Sequence, residues 1–103
     1  MKELDWFLKM LEDEFQVAVD LNQISYEGNE LYLDEIDESL IPFEMLEGLP
    51  KSLLFETMMF ESEEQIEWIG MVAIDLETRE WYLQVILKDG VPVLRKRIEK
   101  ENG

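Results

Sequence analysis

Carboxylates are the side chains that this sequence offers in number for chemistry. Its 103 residues include 18 Glu and 7 Asp but no His and no Cys. Without imidazole or thiol groups, a Ser-His-Asp triad, a thiolate nucleophile and the usual zinc ligands are excluded. The five glycines are too scattered to cradle a phosphate. Most catalytic options are thereby removed, and pairs of carboxylates remain as candidates.

Paired carboxylates could act as the acid and base of a glycosidase. Glu63 and Glu67 have helical spacing, as do Glu44 and Glu47. Such an enzyme needs a sugar-sized cleft and holds one of its carboxyl groups in an apolar pocket. These four residues lie in polar stretches of a short chain, so we interpret them as solvated. We expect no enzymatic activity and no cofactor.

A denser acidic cluster consists of Asp34, Glu35, Asp37 and Glu38. Clustered carboxylates suit a hard cation such as calcium. This cluster lacks the Asp-x-Asp-x-Asp-Gly spacing and the terminal Glu of a calcium-binding loop. Diffuse accumulation of counterions is the favoured interpretation, and we predict no specific metal site.

The acidic residues are concentrated in one part of the chain. From Met10 to Thr78 there are nineteen Asp or Glu residues and a single Lys, Lys51, whereas residues 79–103 carry a charge of +2. The net charge of −16 repels nucleic acid and anionic lipid, and it attracts a basic protein surface. We predict that the partner-binding residues belong to three clusters: Glu12, Asp13 and Glu14; Asp34, Glu35, Asp37 and Glu38; and Glu61, Glu63 and Glu64.

Carboxylates on regular elements can reproduce the spacing of phosphates. Alternate residues of a strand are roughly 6.6 Å apart, and residues i and i+4 of a helix are about 6 Å apart. In charge, size and lack of catalytic residues, the chain resembles small acidic inhibitors, namely phage-encoded DNA mimics and anti-CRISPR proteins that occupy nuclease grooves. The resemblance implies an inhibitor of a nuclease or defence complex, and it assigns no residue roles.

Two other functions fit the same composition. The chain also resembles immunity proteins that neutralise a cognate nuclease toxin, and it could instead be an oligomeric or adaptor protein that uses apolar strands. There is no Cys to suggest disulfides. The N-terminus lacks the apolar core of a signal peptide, and no apolar run approaches the ~20 residues of a membrane span. A cytoplasmic location is therefore expected.

Hydrophobic periodicity predicts the elements that would position these carboxylates. Residues 2–15 read as an amphipathic helix whose buried face would carry Leu4, Phe7, Leu8, Leu11 and Phe15. Alternation over 16–22 predicts a strand. The residues Glu27-Gly28-Asn29-Glu30 indicate a hairpin turn between 24–26 and 31–33. A short helix is expected near 42–47, after Pro42.

The second half of the sequence predicts consecutive antiparallel strands. These cover residues 52–60, 66–75, 81–87 and 91–98, with a tight turn at Asp89-Gly90. Pro92 indicates that the last strand lies at a sheet edge or starts there, and we interpret its Arg95-Lys96-Arg97 cluster as edge protection or pairing with neighbouring acids. Together the elements predict one α+β domain over residues 1–103, with the N-terminal helix on a mainly antiparallel sheet of five or six strands. The helix should face Val72, Ile74, Leu83 and Val85.

Overall fold

The fold consists of one helix and an antiparallel sheet whose strands follow chain order. A computed structural model describes residues 1–98. Helix α1 (Lys2–Asp13) is followed by β1 (Ser25–Tyr32), β2 (Ser52–Glu61), β3 (Glu67–Ile74), β4 (Trp81–Lys88) and β5 (Val91–Arg97). The sheet order is β1-β2-β3-β4-β5, and all neighbouring strands are antiparallel. The prediction of an α+β fold with a helix on a five-stranded antiparallel sheet is confirmed.

Helix α1 packs on one face of the sheet through a stripe at i, i+4 spacing. Phe7 and Leu11 are fully buried and contribute to a core with Val72 and Ile74. Gly70 of β3 allows the close approach, since a Cβ there would overlap the Phe7 ring. Removing this apolar surface from water is the main stabilising contribution of the helix.

The predicted helix face is partly wrong. Leu8 is only half-buried and does not join the helix-side core, whereas Trp6 and Met10 flank the buried stripe and widen its face. Leu83 and Val85 lie on the opposite face of the sheet. The orientation follows from burial at positions 3, 7 and 11, a spacing that also buries Glu3.

Residues 33–50, here called the crossing segment, cover the second face of the sheet. Ile41 and Leu46 are buried against a core that includes Leu53 and Phe55. At the far edge, Arg95 of β5 donates hydrogen bonds to the carbonyl oxygens of Leu40 and Ser39, both at 2.9 Å. Both faces of the sheet are therefore buried, whereas the sequence predicted cover on one face.

The crossing segment contains the short helix that Pro42 signals. A 3-10 helix spans Phe43–Leu46, and Gly48 follows with a φ of +77°. Two other 3-10 turns lie at Leu21–Gln23 and Leu33–Glu35. The expected short helix is thus present, in the tighter 3-10 form that short connections favour.

Two predicted elements in the first half are wrong. Residues 25–32 form one continuous strand instead of a hairpin, because β1 pairs with β2 from Ser25↔Met59 to Tyr32↔Ser52. Residues 16–20 form no strand. Val17 and Val19 do pack against the helix-side core, so their alternation reflects burial without strand pairing.

The four strands of the second half are confirmed to within two residues. Asp89 and Gly90 form the tight turn before β5, with φ values of +48° and +80°. β5 lies at a sheet edge, as Pro92 predicts. In β2 to β5, therefore, the local turn signals and the strand patterns agree.

Candidate acidic interface

A groove lies at the end of the sheet where α1 finishes. It has a volume of about 500 Å³ and is lined from two sides, by residues 15–18 after the helix and by the β2–β3 loop with Glu63 and Glu64. Phe15 packs on Trp68 of β3, with ring centroids 5.1 Å apart. This contact holds the helix end beside the loop, so two of the three predicted acidic clusters lie at one end of the molecule.

We call this region the acidic end. Its members are Glu12, Asp13, Glu14, Glu61, Glu63, Glu64, Glu67 and Asp89, all of them exposed. Sequence reasoning did not include Glu67 and Asp89. Both belong to the acidic end because of strand pairing. Glu67 lies directly opposite Glu61, and the Glu67 N–H donates to Asp89 Oδ1 at 2.9 Å.

The arrangement of these charges is electrostatically unfavourable. Glu12 and Asp13 lie in the last turn of α1, which contains no basic residue, and Glu14 caps it. Negative charge at a helix C-terminus opposes the helix dipole. Like charges directly opposite on neighbouring strands, as at Glu61 and Glu67, also destabilise the sheet. Within residues 1–98, none of the six predicted carboxylates here has a hydrogen bond or an ion pair to relieve this.

The third predicted cluster, Asp34 to Glu38, lies elsewhere. It follows Tyr32, which pairs with Ser52 at the start of β2, whereas Glu61 ends that strand about 30 Å away. The cluster also begins the crossing segment, on the sheet face opposite α1. The structure therefore does not bring it together with the acidic end.

Two members of this third cluster stabilise local turns. Glu35 Oε1 accepts a hydrogen bond from the Tyr32 N–H at 2.9 Å. Asp37 Oδ1 accepts from the Ser39 hydroxyl at 2.7 Å and from the Ser39 N–H at 2.9 Å, and these bonds lower the pKa of Asp37. Asp34 lines a smaller depression beside Lys51. A local structural role accounts for Glu35 and Asp37.

Trp68 and Lys88 give the groove an aromatic and cationic floor. Trp68 is 3% exposed, and the Lys88 Nζ lies 5.5 Å from its ring centroid, within cation–π range. The Trp68 Nε1–H is buried and has no hydrogen-bond partner among residues 1–98. Phe15, Val17, Ile66 and Val93 add apolar surface. The groove thus combines aromatic and apolar side chains, one lysine and the two carboxylates of Glu63 and Glu64.

A second group of carboxylates is buried beneath the start of α1. Glu3 and Glu56 are each 6% exposed, and Glu56 accepts a hydrogen bond from the Tyr26 hydroxyl. Arg79 Nη2 lies 3.9 Å from Glu56 Oε1. Partial desolvation of the hydroxyl, its hydrogen bond to Glu56 and the charge of Glu56 raise the pKa of Tyr26 to about 12. This network connects β1, β2 and the β3–β4 turn.

Sequence patterns contained a signal for several of these residues. Glu56 alternates with Leu54, Met58 and Phe60, so strand parity alone places it on a buried face. Glu3 is four residues before Phe7, on the buried stripe of the helix. No sequence pattern predicts the groove, because its position depends on where the chain after α1 meets the β2–β3 loop.

Two arginines of the basic cluster on β5 lie against the crossing segment. Arg95 is bound to backbone carbonyls of the crossing segment, and Arg97 lies near Gly48 of the same segment. Arg95 and Arg97 pair in register with Val85 and Leu83, which places them on the second face. The two hydrogen bonds of Arg95 hold the crossing segment against the sheet.

Within residues 1–98, no group of three or more Asp or Glu residues has the geometry to hold a metal ion, and no helix is long and apolar enough to cross a membrane. Comparison of the chain with protein-family models, curated proteins and solved structures finds no match.

Proposed function

We propose that this chain is a non-catalytic, cytoplasmic inhibitor that binds the basic nucleic-acid-binding surface of a nuclease or defence complex. Its carboxylates would take the place of phosphates. The observation that carries the proposal is the acidic end, where exposed carboxylates from a helix, a loop and two strands lie together and two of them, Glu63 and Glu64, line a groove. Their mutual repulsion is relieved when a cationic surface neutralises them.

The scaffold suits this function because its interior is buried on both sides of the sheet. One core lies under α1 and the other under the crossing segment. Charges held on such a scaffold need little reordering on binding, which lowers the entropic cost of association. A toxin-immunity role would use the same surface against a different target.

Competition with nucleic acid tests the proposal. The tagged protein is used to capture partners from a bacterial lysate at about 0.05 M and about 1 M salt, where the Debye length falls from above 10 Å to about 3 Å. We expect a nucleic-acid-binding protein to be captured at low salt only, and to be released by added duplex DNA or RNA. Capture that survives high salt and excess nucleic acid would refute phosphate mimicry and favour an apolar interface.

Charge variants then test which surface makes the contact. The triple variant Glu12→Gln, Glu63→Gln, Glu64→Gln removes three charges at the acidic end. The matched control Asp34→Asn, Glu38→Gln, Glu44→Gln removes three charges elsewhere and spares Glu35 and Asp37. We expect the first variant to slow association with the captured partner, and the control to do so much less. Equal effects would mean that net charge alone attracts the partner.

A further inference from the structure

We infer that the groove at the acidic end binds an arginine-bearing peptide segment of the partner, with the guanidinium over Trp68 and a backbone carbonyl on the Trp68 Nε1–H. The inference rests on the proposed function and specifies which part of the partner contacts the groove. A cation is indicated by Glu63 and Glu64 at the groove. A hydrogen-bond acceptor is indicated by the unpartnered indole N–H.

The protein's own Lys88 shows that this position accepts a cation. Its Nζ already lies over the Trp68 ring, 5.5 Å from the centroid, and its side chain lines the same groove. A ligand cation would take this place as Lys88 turns outward to solvent. Arginine fits better than lysine because its planar guanidinium can stack on an aromatic ring and bind a carboxylate with two parallel hydrogen bonds.

The buried indole N–H explains why a peptide is preferred over a small cation. An unpaired buried donor is costly, and an acceptor that reaches it recovers that cost. Trp68 is 97% buried by the side chains around it, so the acceptor reaches Nε1 only when a neighbour moves. Displacement of Lys88 frees the face of the ring for the guanidinium, and a shift of a side chain at the ring edge admits the carbonyl to Nε1. A peptide supplies the guanidinium and the carbonyl together.

A titration with the peptides Ac-Arg-Arg-Arg-NH2 and Ac-Lys-Lys-Lys-NH2 tests the inference, followed by two-dimensional NMR of the indole N–H groups. We expect the Trp68 signal to shift with the arginine peptide, and to shift less with the lysine peptide. Trp6 and Trp81, which pack on each other 6.3 Å apart, provide internal controls and should not shift. No movement of the Trp68 signal, or an equal response to both peptides, would overturn the inference.

Two pairs of variants separate the groove from net charge. Glu63→Gln with Glu64→Gln should weaken arginine-peptide binding about threefold or more, whereas Glu27→Gln with Glu44→Gln, the same change at exposed sites on β1 and the crossing segment, should have little effect. Lys88→Met should tighten binding, and Lys51→Met should not. Equal effects within either pair would overturn the inference.

The same variants in the capture experiment distinguish the two proposals. If Glu63→Gln/Glu64→Gln captures the partner as the unaltered protein does, and nucleic acid still releases it, the groove is not the contact but the proposed function stands. If nucleic acid does not release the partner from the unaltered protein, the proposed function itself fails.

Discussion

Tyr26 and Glu56 show how this chain keeps a charge in its interior. The Glu56 carboxylate is 6% exposed and depends on the Tyr26 hydroxyl and on Arg79. Arg79 is largely exposed, so its pairing with Glu56 is screened by water and contributes little. The tyrosine hydrogen bond is therefore the contact that most offsets the cost of burying Glu56.

Tyr26→Phe should lower the free energy of unfolding by about 1–3 kcal/mol, because it leaves a buried carboxylate oxygen without its donor. Urea denaturation at neutral pH measures the change. Tyr32→Phe, at an exposed tyrosine on the same strand, is the matched control and should be close to neutral. Equal stability of the two variants would mean that the hydrogen bond to Glu56 is not stabilising.

Because the pKa of Tyr26 is raised, the stability that this contact contributes should depend on pH. A group whose pKa is higher in the folded state contributes stability below its unfolded pKa, and loses that contribution as pH rises through the folded value. For Tyr26 the loss falls between pH 10.0 and about 12. We expect ultraviolet absorbance to show one tyrosine titrating near pH 12, and that transition should be absent from Tyr26→Phe.

The carboxylates at the end of α1 should lower the stability of the fold and speed the binding of a basic partner. Replacing Glu12 and Asp13 with Gln and Asn removes negative charge from a helix C-terminus, which should raise stability by a few tenths of a kcal/mol per residue. The same variant should bind the basic partner more slowly. Thermal unfolding and association rates at low salt measure the two effects. Loss of both stability and binding would indicate a structural role instead.

At the scale of elements, the close packing of α1 depends on the absence of a side chain at Gly70. Gly70→Ala would place a methyl group within the volume of the Phe7 ring. We expect a loss of about 1–3 kcal/mol from overpacking, measured by urea denaturation. Phe7→Leu in the same chain makes room and should reduce the penalty of Gly70→Ala. Strict additivity of the two changes would mean that the residues do not interact as described.

Arg95 provides a matching test for the crossing segment. Arg95→Ala removes two hydrogen bonds to backbone carbonyls and should cost about 1 kcal/mol at this exposed site. Lys96→Ala, its exposed neighbour, removes the same charge and should be almost neutral. Hydrogen exchange should show faster exchange of the Ile41 amide in Arg95→Ala only. Similar exchange in both variants would assign the effect to charge.

The sequence predicts elements well where pattern and turn chemistry agree, as in β2 to β5. It misleads at Gly28, where a turn signal lies within a strand, because pairing along the whole of β2 outweighs the local preference of one glycine. It misleads again at Val17 and Val19, where alternating burial is achieved without a strand partner. The groove could not be predicted, since it is formed by segments about 50 residues apart.

For the whole molecule, self-repulsion should set the response of stability to salt and pH. A net charge of −16 opposes the compact state, so adding salt to about 0.5 M should raise the melting temperature. Lowering the pH from neutrality toward 5 should act in the same direction as carboxylates gain protons. A melting temperature that falls with added salt would mean that attractive surface pairs outweigh the repulsion.

The gain from acidification should end near the ordinary aspartate pKa. Hydrogen bonds from the Thr78 and Glu77 N–H groups lower the pKa of Asp75, and Ser39 lowers that of Asp37. A depressed pKa gives stability above the unfolded value of 3.8 that is lost as pH falls through the folded value. Thermal unfolding across pH should therefore show a maximum between neutrality and pH 3.8, and Asp75→Asn should flatten its acidic side.

The Arg95 contact can form only late in the synthesis of the chain. Ser39 and Leu40 leave the ribosome long before Arg95, which follows Leu40 by 55 residues. Until β5 has been made, the crossing segment lacks its attachment at the far edge and the apolar face beneath it has no secured cover. During that interval the incomplete chain exposes apolar surface that favours aggregation, and docking of the last strand covers it.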